Sequence, residues 1–237
     1  MQILAISSDG YNELIPSFLI LLKKYWPGHG PLNILGYGDT PKFLDTNINY
    51  ISADKKSTRY NYSTSVKKAL SRIDDDIILM LLVKHFITKD VKKDLLNEAL
   101  DLINKPDTGK VWLGFNIDKK GLEGVNDFWL WNKSCNHGTC LIPGSNQPSL
   151  WKKDFYFDII KDGWDYLEQE QSGTLAASKQ KKWKIFFHKT EEIIPMADAT
   201  TAGKAIDKHV HKAAIEVRNL FPEKGWIPGN RFIGKKL

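Results

Sequence analysis

Seven consecutive apolar residues, IILMLLV at 77–83, follow the triplet Asp74, Asp75 and Asp76 and lead into Lys84, His85 and Phe86. A run of this length lacks the alternation of a half-exposed strand and is far too short to cross a bilayer. It reads as a strand covered on both faces. Strands of that kind belong to helix-flanked, mostly parallel sheets, where ligands gather beyond the carboxyl ends of the strands. The residues that follow the run are therefore the first candidates for a site, and they include a lysine and a histidine. The aspartates lie at the other end. Seven residues of extended chain at about 3.3 Å each put roughly 23 Å between Asp76 and Val83, so the triplet belongs at the opposite sheet edge.

The neighbouring segments alternate in the manner such a sheet requires. Residues 2–7 predict a strand, 11–26 a helix with Pro16 in its first turns, 32–36 and 48–52 two further strands, and 62–73 a helix with Val66, Ala69, Leu70 and Ile73 on one face. Asp90 is placed to cap a helix over 91–103, and 111–117 predicts the next strand. The second half is less regular, with strands expected at 128–131, 139–142 and 183–187 and a helix at 149–160. After Gly203 an amphipathic pattern places Ile206, Val210, Ala213, Val217 and Leu220 inward, and a basic tail follows. The expected class is α/β, one domain over 1–237, with a first half at 1–117, a loop-rich second half at 118–206 and a basic helix and tail at 207–237.

No apolar run approaches the ~20 residues of a membrane span, and the opening MQILAISSDG has no basic leader region, which points to a cytoplasmic protein. Cys135, His137 and Cys140 crowd into six residues and match no common zinc spacing. The net charge of +6 comes from lysines spread along the chain, and a field of that sign favours a polyanionic partner such as DNA or an anionic membrane.

Four segments in order carry a family resemblance: SDGYNELIPSFLILLKKYWPG, YSTSVKKALSRIDDDIILMLLVKHFITKDV, NQPSLWKKDF, and EQSGT with a later AGK. Together, over roughly residues 1–205, they resemble small bacterial and viral nucleotide-sugar glycosyltransferases of the GT-A fold. The resemblance implies a nucleotide-sugar donor bound across the first half and an acceptor approaching over the second. In such enzymes an acidic pair after the central strand usually holds a divalent cation, Mn or Mg. The matching positions here are Val83 and Lys84, with His85 where an aromatic residue is expected.

Three readings of that replacement stay open: Lys84 neutralises the donor phosphates as a point charge, the strand end is merely solvated, or other residues hold a metal. His209 and His211 belong to the last reading, although residues two apart do not share a helix face. Asp9 and Tyr11 match positions that would hold the nucleotide, Asp9 being equally suited to capping a helix. Lys204 of AGK resembles a lysine near the donor phosphates, and Trp151 and Trp164 resemble acceptor-side positions, where tryptophans otherwise serve as core.

For the base that takes the acceptor proton, Glu170 in EQSGT matches a Glu-x-x-Gly pattern and Glu168 competes with it; either is otherwise ordinary helix surface. The implied activity is an inverting sugar transfer to a hydroxyl. The acceptor is either a hydroxymethylated DNA base, presented single-stranded or flipped, or a surface glycan precursor. A fold of this kind with a decayed metal site would instead make a non-catalytic binding protein.

Overall fold

The computed structural model describes residues 1–42, 44–45, 47–56, 58–114, 122–125, 127–131, 143–189 and 192–198. The expected strand at 139–142, the helix after Gly203 and the basic tail, with Lys204, His209, His211, Cys135, His137 and Cys140, fall outside that set.

The elements of the first half follow the alternation. They are β1 (Gln2–Ile6), α1 (Ile15–Tyr25), β2 (Leu32–Gly36), β3 (Asn49–Ser52), α2 (Tyr62–Leu70), β4 (Ile77–Leu82), β5 (His85–Ile87), α3 (Lys93–Ile103) and β6 (Thr108–Trp112). A 3-10 turn over Asp9–Leu14 precedes α1, and Pro16 stands in the helix's first turn, where its missing N–H costs nothing. Asp90 does not cap α3: the helix begins later, with Lys92 at the cap position and no side-chain cap bond.

The later elements are β7 (Leu122–Val125), β8 (Phe128–Trp131), β9 (Ser149–Lys152), α4 (Lys153–Ile159), α5 (Tyr166–Lys179), β10 (Lys184–His188) and β11 (Met196–Asp198). The helix expected over 149–160 is a strand followed by a helix. Leu150 belongs to the core on one face of the sheet and Trp151 to the core on the other, a two-residue alternation that only an extended chain can make.

The main sheet of nine strands runs β3-β2-β1-β4-β9-β6-β10-β8-β7. Pairing is parallel from β3 through β4 and again between β6 and β10, while β9 runs antiparallel to both β4 and β6, and β8 to both β10 and β7. All strands but β9 and β8 therefore point the same way. Helices α1 and α3 cover one face and α2, α4 and α5 the other. Strand β4 is central as expected: Leu79 and Leu81 are buried with the first layer and Ile78, Met80 and Leu82 with the second. Strands β5 and β11 form a separate antiparallel pair.

The acidic triplet lies at the amino edge of the sheet. Asp75 pairs with the Met1 ammonium at 3.2 Å, and the Asp76 carbonyl accepts the Lys153 N–H at 2.9 Å.

Candidate active site

Chain order along the sheet reverses at β1, which has β2 on one side and β4 on the other. In an open α/β sheet a crevice opens at the carboxyl ends of the strands at such a reversal, because the two connections leave in opposite directions. The Val83 N–H donates to the Ile6 carbonyl at 2.9 Å, holding the ends of β4 and β1 side by side. Beyond them lies a cleft of about 290 Å³. Ser7, Ser8 and Tyr11 enter it after β1, and Lys84 after β4.

The opposite wall is a pair of tyrosines at the starts of two helices, Tyr62 of α2 and Tyr166 of α5, packed edge to face with ring centroids 5.4 Å apart. The half-buried Lys84 places Nζ 5.8 Å from the centre of the Tyr166 ring. A second cleft of about 470 Å³ shares Ser8 and both tyrosines and extends past Tyr37 and Thr58.

Behind the tyrosines lie buried polar groups, Ser145 and Asn146 among them. Asn146 Nδ2 donates to the Tyr62 hydroxyl at 3.1 Å. Burial raises the Tyr62 phenol above its ordinary value and the nearby Glu170 charge adds to the rise, against the lowering effect of Asn146. Burial likewise raises Tyr166, reinforced by the Glu170 charge. Both phenols therefore stay protonated and available as donors. Glu170 itself is only 9% exposed.

Of the residues expected from sequence, Tyr11 and Lys84 meet in the cleft, with Glu170 behind its far wall. The backbone of Asp9 opens the turn after β1, and its side chain lies outside the described set. His85 is 2% exposed in β5, across from Asp198 of β11, and is not part of the cleft lining. Glu168 closes a capping box at the start of α5: its Oε2 accepts the Asp165 N–H at 3.0 Å while its own N–H donates to Asp165 Oδ1 at 2.8 Å.

Trp151 corrects the expectation of an acceptor platform. It is 0% exposed, stacked on Phe155 at 5.7 Å and edge-on to Tyr156 at 5.1 Å, so no ring face is left for a ligand. Trp164 is half-buried and tied to α2, its N–H donating to Ser63 Oγ at 2.9 Å and its carbonyl accepting the Ser63 N–H at 3.1 Å.

Sequence reasoning passed over Tyr62, Tyr166 and Asn146, which carry no pattern of their own. It also missed Lys110, which stands one position before the strand expected from sequence and inside the buried strand β6. Among the described residues no group of three or more His, Cys, Asp or Glu side chains is placed to hold a metal ion. The described lining at the end of β4 is a poor fit for a divalent cation, since it presents hydroxyls, apolar groups and an ammonium. No helix among the described residues is long and apolar enough to cross a membrane.

No family model and no curated protein matches the sequence. Solved structures do match the fold. The mannosyltransferase PcManGT from Pyrobaculum calidifontis, in complex with GDP-Man and Mn2+, gives a TM-score of 0.53 at 9% identity over 85% of this chain and 57% of its own. TarS 1–349 of S. aureus in complex with UDP gives 0.50 at 12% identity over 100% of this chain and 75% of its own. A mycobacterial protein gives 0.53 at 10% identity, covering 93% and 72%. The chain thus spans less than two thirds of the mannosyltransferase. At these identities the likeness is one of architecture: a GT-A-like α/β sheet with its cleft at the carboxyl edge.

Proposed function

We propose that the chain is a glycosyltransferase that takes a sugar from a nucleotide-sugar donor and transfers it to an acceptor hydroxyl. The observation that carries the proposal is the meeting of Lys84 and Tyr11 in one cleft at the β1/β4 reversal. Neighbours of the same fold were solved with GDP-Man and with UDP, which supports a nucleotide in that cleft.

A sugar departs from a nucleoside diphosphate only when the charge gathering on the diphosphate is stabilised. Lys84 lines the cleft with a positive charge, at a position that matches the acidic, metal-holding pair of the glycosyltransferases the sequence resembles, on a stem long enough to reach a phosphate oxygen. Tyr11 and the second cleft with Tyr37 offer aromatic faces for the nucleoside.

In the reaction the acceptor oxygen bonds to the anomeric carbon as the bond from that carbon to the diphosphate breaks, with inversion. The acceptor proton moves toward Glu170. Glu170, whose charge acts on the Tyr166 phenol from behind the cleft wall, is the group that ends with that proton. At +6 the chain favours a polyanionic surface, which suits either of two acceptors, a hydroxymethylated base in DNA or a surface glycan precursor at an anionic membrane.

A panel of nucleotide sugars, assayed for released nucleoside diphosphate with EDTA and with manganese, tests the reading. Turnover that EDTA leaves unchanged is expected. No turnover and no thermal shift with any donor would replace the enzyme by a binding protein of the same fold, and EDTA-sensitive turnover would remove Lys84 from its role. Failure to bind single-stranded or duplex DNA at low salt would leave the glycan precursor as acceptor.

A further inference from the structure

We infer that Lys110 is a positioning residue for Glu170, acting through the loop 143–147; the role in turnover rests on the glycosyltransferase reading, whereas the clamp itself does not. Lys110 is 0% exposed. Its Nζ lies 4.0 Å from the centre of the Trp151 ring and 4.7 Å from that of Trp112, and donates to the carbonyls of Pro143 at 2.9 Å and Ser145 at 2.6 Å. An ammonium is costly to bury, and an apolar side chain would fill the same space more cheaply, so what it holds is the feature to explain.

What it holds is a loop pressed onto α5 on either side of Glu170. Gln169 Nε2 donates to the Gly144 carbonyl at 3.1 Å, and the Gly144 N–H donates to Thr174 Oγ1 at 3.1 Å. Thr174 Oγ1 in turn donates to the Glu170 carbonyl at 2.6 Å. The approach is so close that a Cβ on Gly144 would stand 2.4 Å from the Gln169 carbonyl oxygen and 2.9 Å from that of Glu170. Tyr156 donates to Gln169 Oε1 at 2.8 Å and fixes that side chain from the core. Two positions further along the loop, Asn146 reaches the Tyr62 hydroxyl in the cleft wall. Lys110 therefore anchors, from β6, a segment that touches both the turn bearing Glu170 and the tyrosine wall. The proximity of the Glu170 charge to the Lys110 ammonium is a second link between them.

Hydrogen exchange on the full chain reads this clamp without any substrate. In Lys110→Met, the amides of 144–147 and 169–174 are expected to exchange at least about tenfold faster than in the wild type, with β1 and β4 unchanged. Unchanged protection in both stretches overturns the inference. Should Lys110→Met not fold, Gly144→Ala breaks the same contact from the loop side and carries the same expectation.

In turnover, either variant is expected to lose about tenfold or more in kcat with the donor KM within about twofold, the pattern of a misplaced group and an intact donor cleft. A raised KM at unchanged kcat overturns the positioning role. A wild type inactive with every donor defeats the enzymatic reading alone, and the exchange result still decides the clamp.

Discussion

Lys84 and Glu170 divide the proposed chemistry between a leaving-group charge and an acceptor proton, and each can be removed separately. Lys84→Ala is expected to lower kcat/KM by about a hundredfold, the usual scale for removing one group that stabilises developing charge. Glu170→Gln keeps the shape of the wall but removes the proton acceptor, so kcat should fall by about a hundredfold or more while nucleotide binding, read by calorimetry, stays. Glu168→Ala separates the two glutamates by a different measurement. It opens the capping box at the start of α5 and should cost about 1 kcal/mol in denaturant unfolding, with turnover unaffected. The identity of Lys84 and Glu170 as candidates was legible from sequence because both lie in ordered motifs. The tyrosine wall was not, since Tyr62 and Tyr166 are 104 positions apart in the chain numbering and only the packing of α2 beside α5 brings them together.

Strands β9 and β6 show where periodicity misleads and where it was not pressed far enough. SLWKKDFYFDII has apolar spacing that suits a helix throughout, but Trp151 opposes Ile78 on β4 and Lys110 on β6, and sheet pairing overrides the local pattern for its first four residues. Trp151→Ala should therefore destabilise the chain by about 3–5 kcal/mol, a core loss visible in urea unfolding.

Lys110 on β6 leads to a pH prediction. Burial holds its ammonium well below the ordinary value of 10.5, only partly opposed by the Glu170 charge. Between the folded-state value and 10.5 the unfolded chain binds the proton that the folded chain has released, so this residue's contribution to stability rises with pH and is complete above 10.5. Compared with Lys110→Met, the wild type should gain in unfolding midpoint as pH is raised from neutral toward 10.5, with other titrating groups cancelling in the difference.

Across the whole molecule, the sheet separates two charged regions that stand close together in sequence. Asp74, Asp75 and Asp76 lie at the amino edge and Lys84 at the carboxyl edge, as the length of the strand between them requires. Replacing the three aspartates by asparagine should leave turnover and its response to EDTA unchanged. The cost should be below about 1 kcal/mol, since the Met1–Asp75 pair is part-exposed. The parallel first half was legible because each βα unit is local in sequence. The order of the second half was not, because β9 reaches back over long separations to enter the sheet between β4 and β6.

That late insertion carries a consequence for synthesis on the ribosome. Until residues 149–152 have emerged, β4 has β1 on one side and an open row of backbone donors and acceptors on the other, and β6 cannot be joined to it. This wholly apolar strand thus waits, unpaired along one edge, for a segment made more than sixty residues later. A nascent chain arrested before β9 should be prone to edge-to-edge association, and sheet closure should be the slow step of refolding.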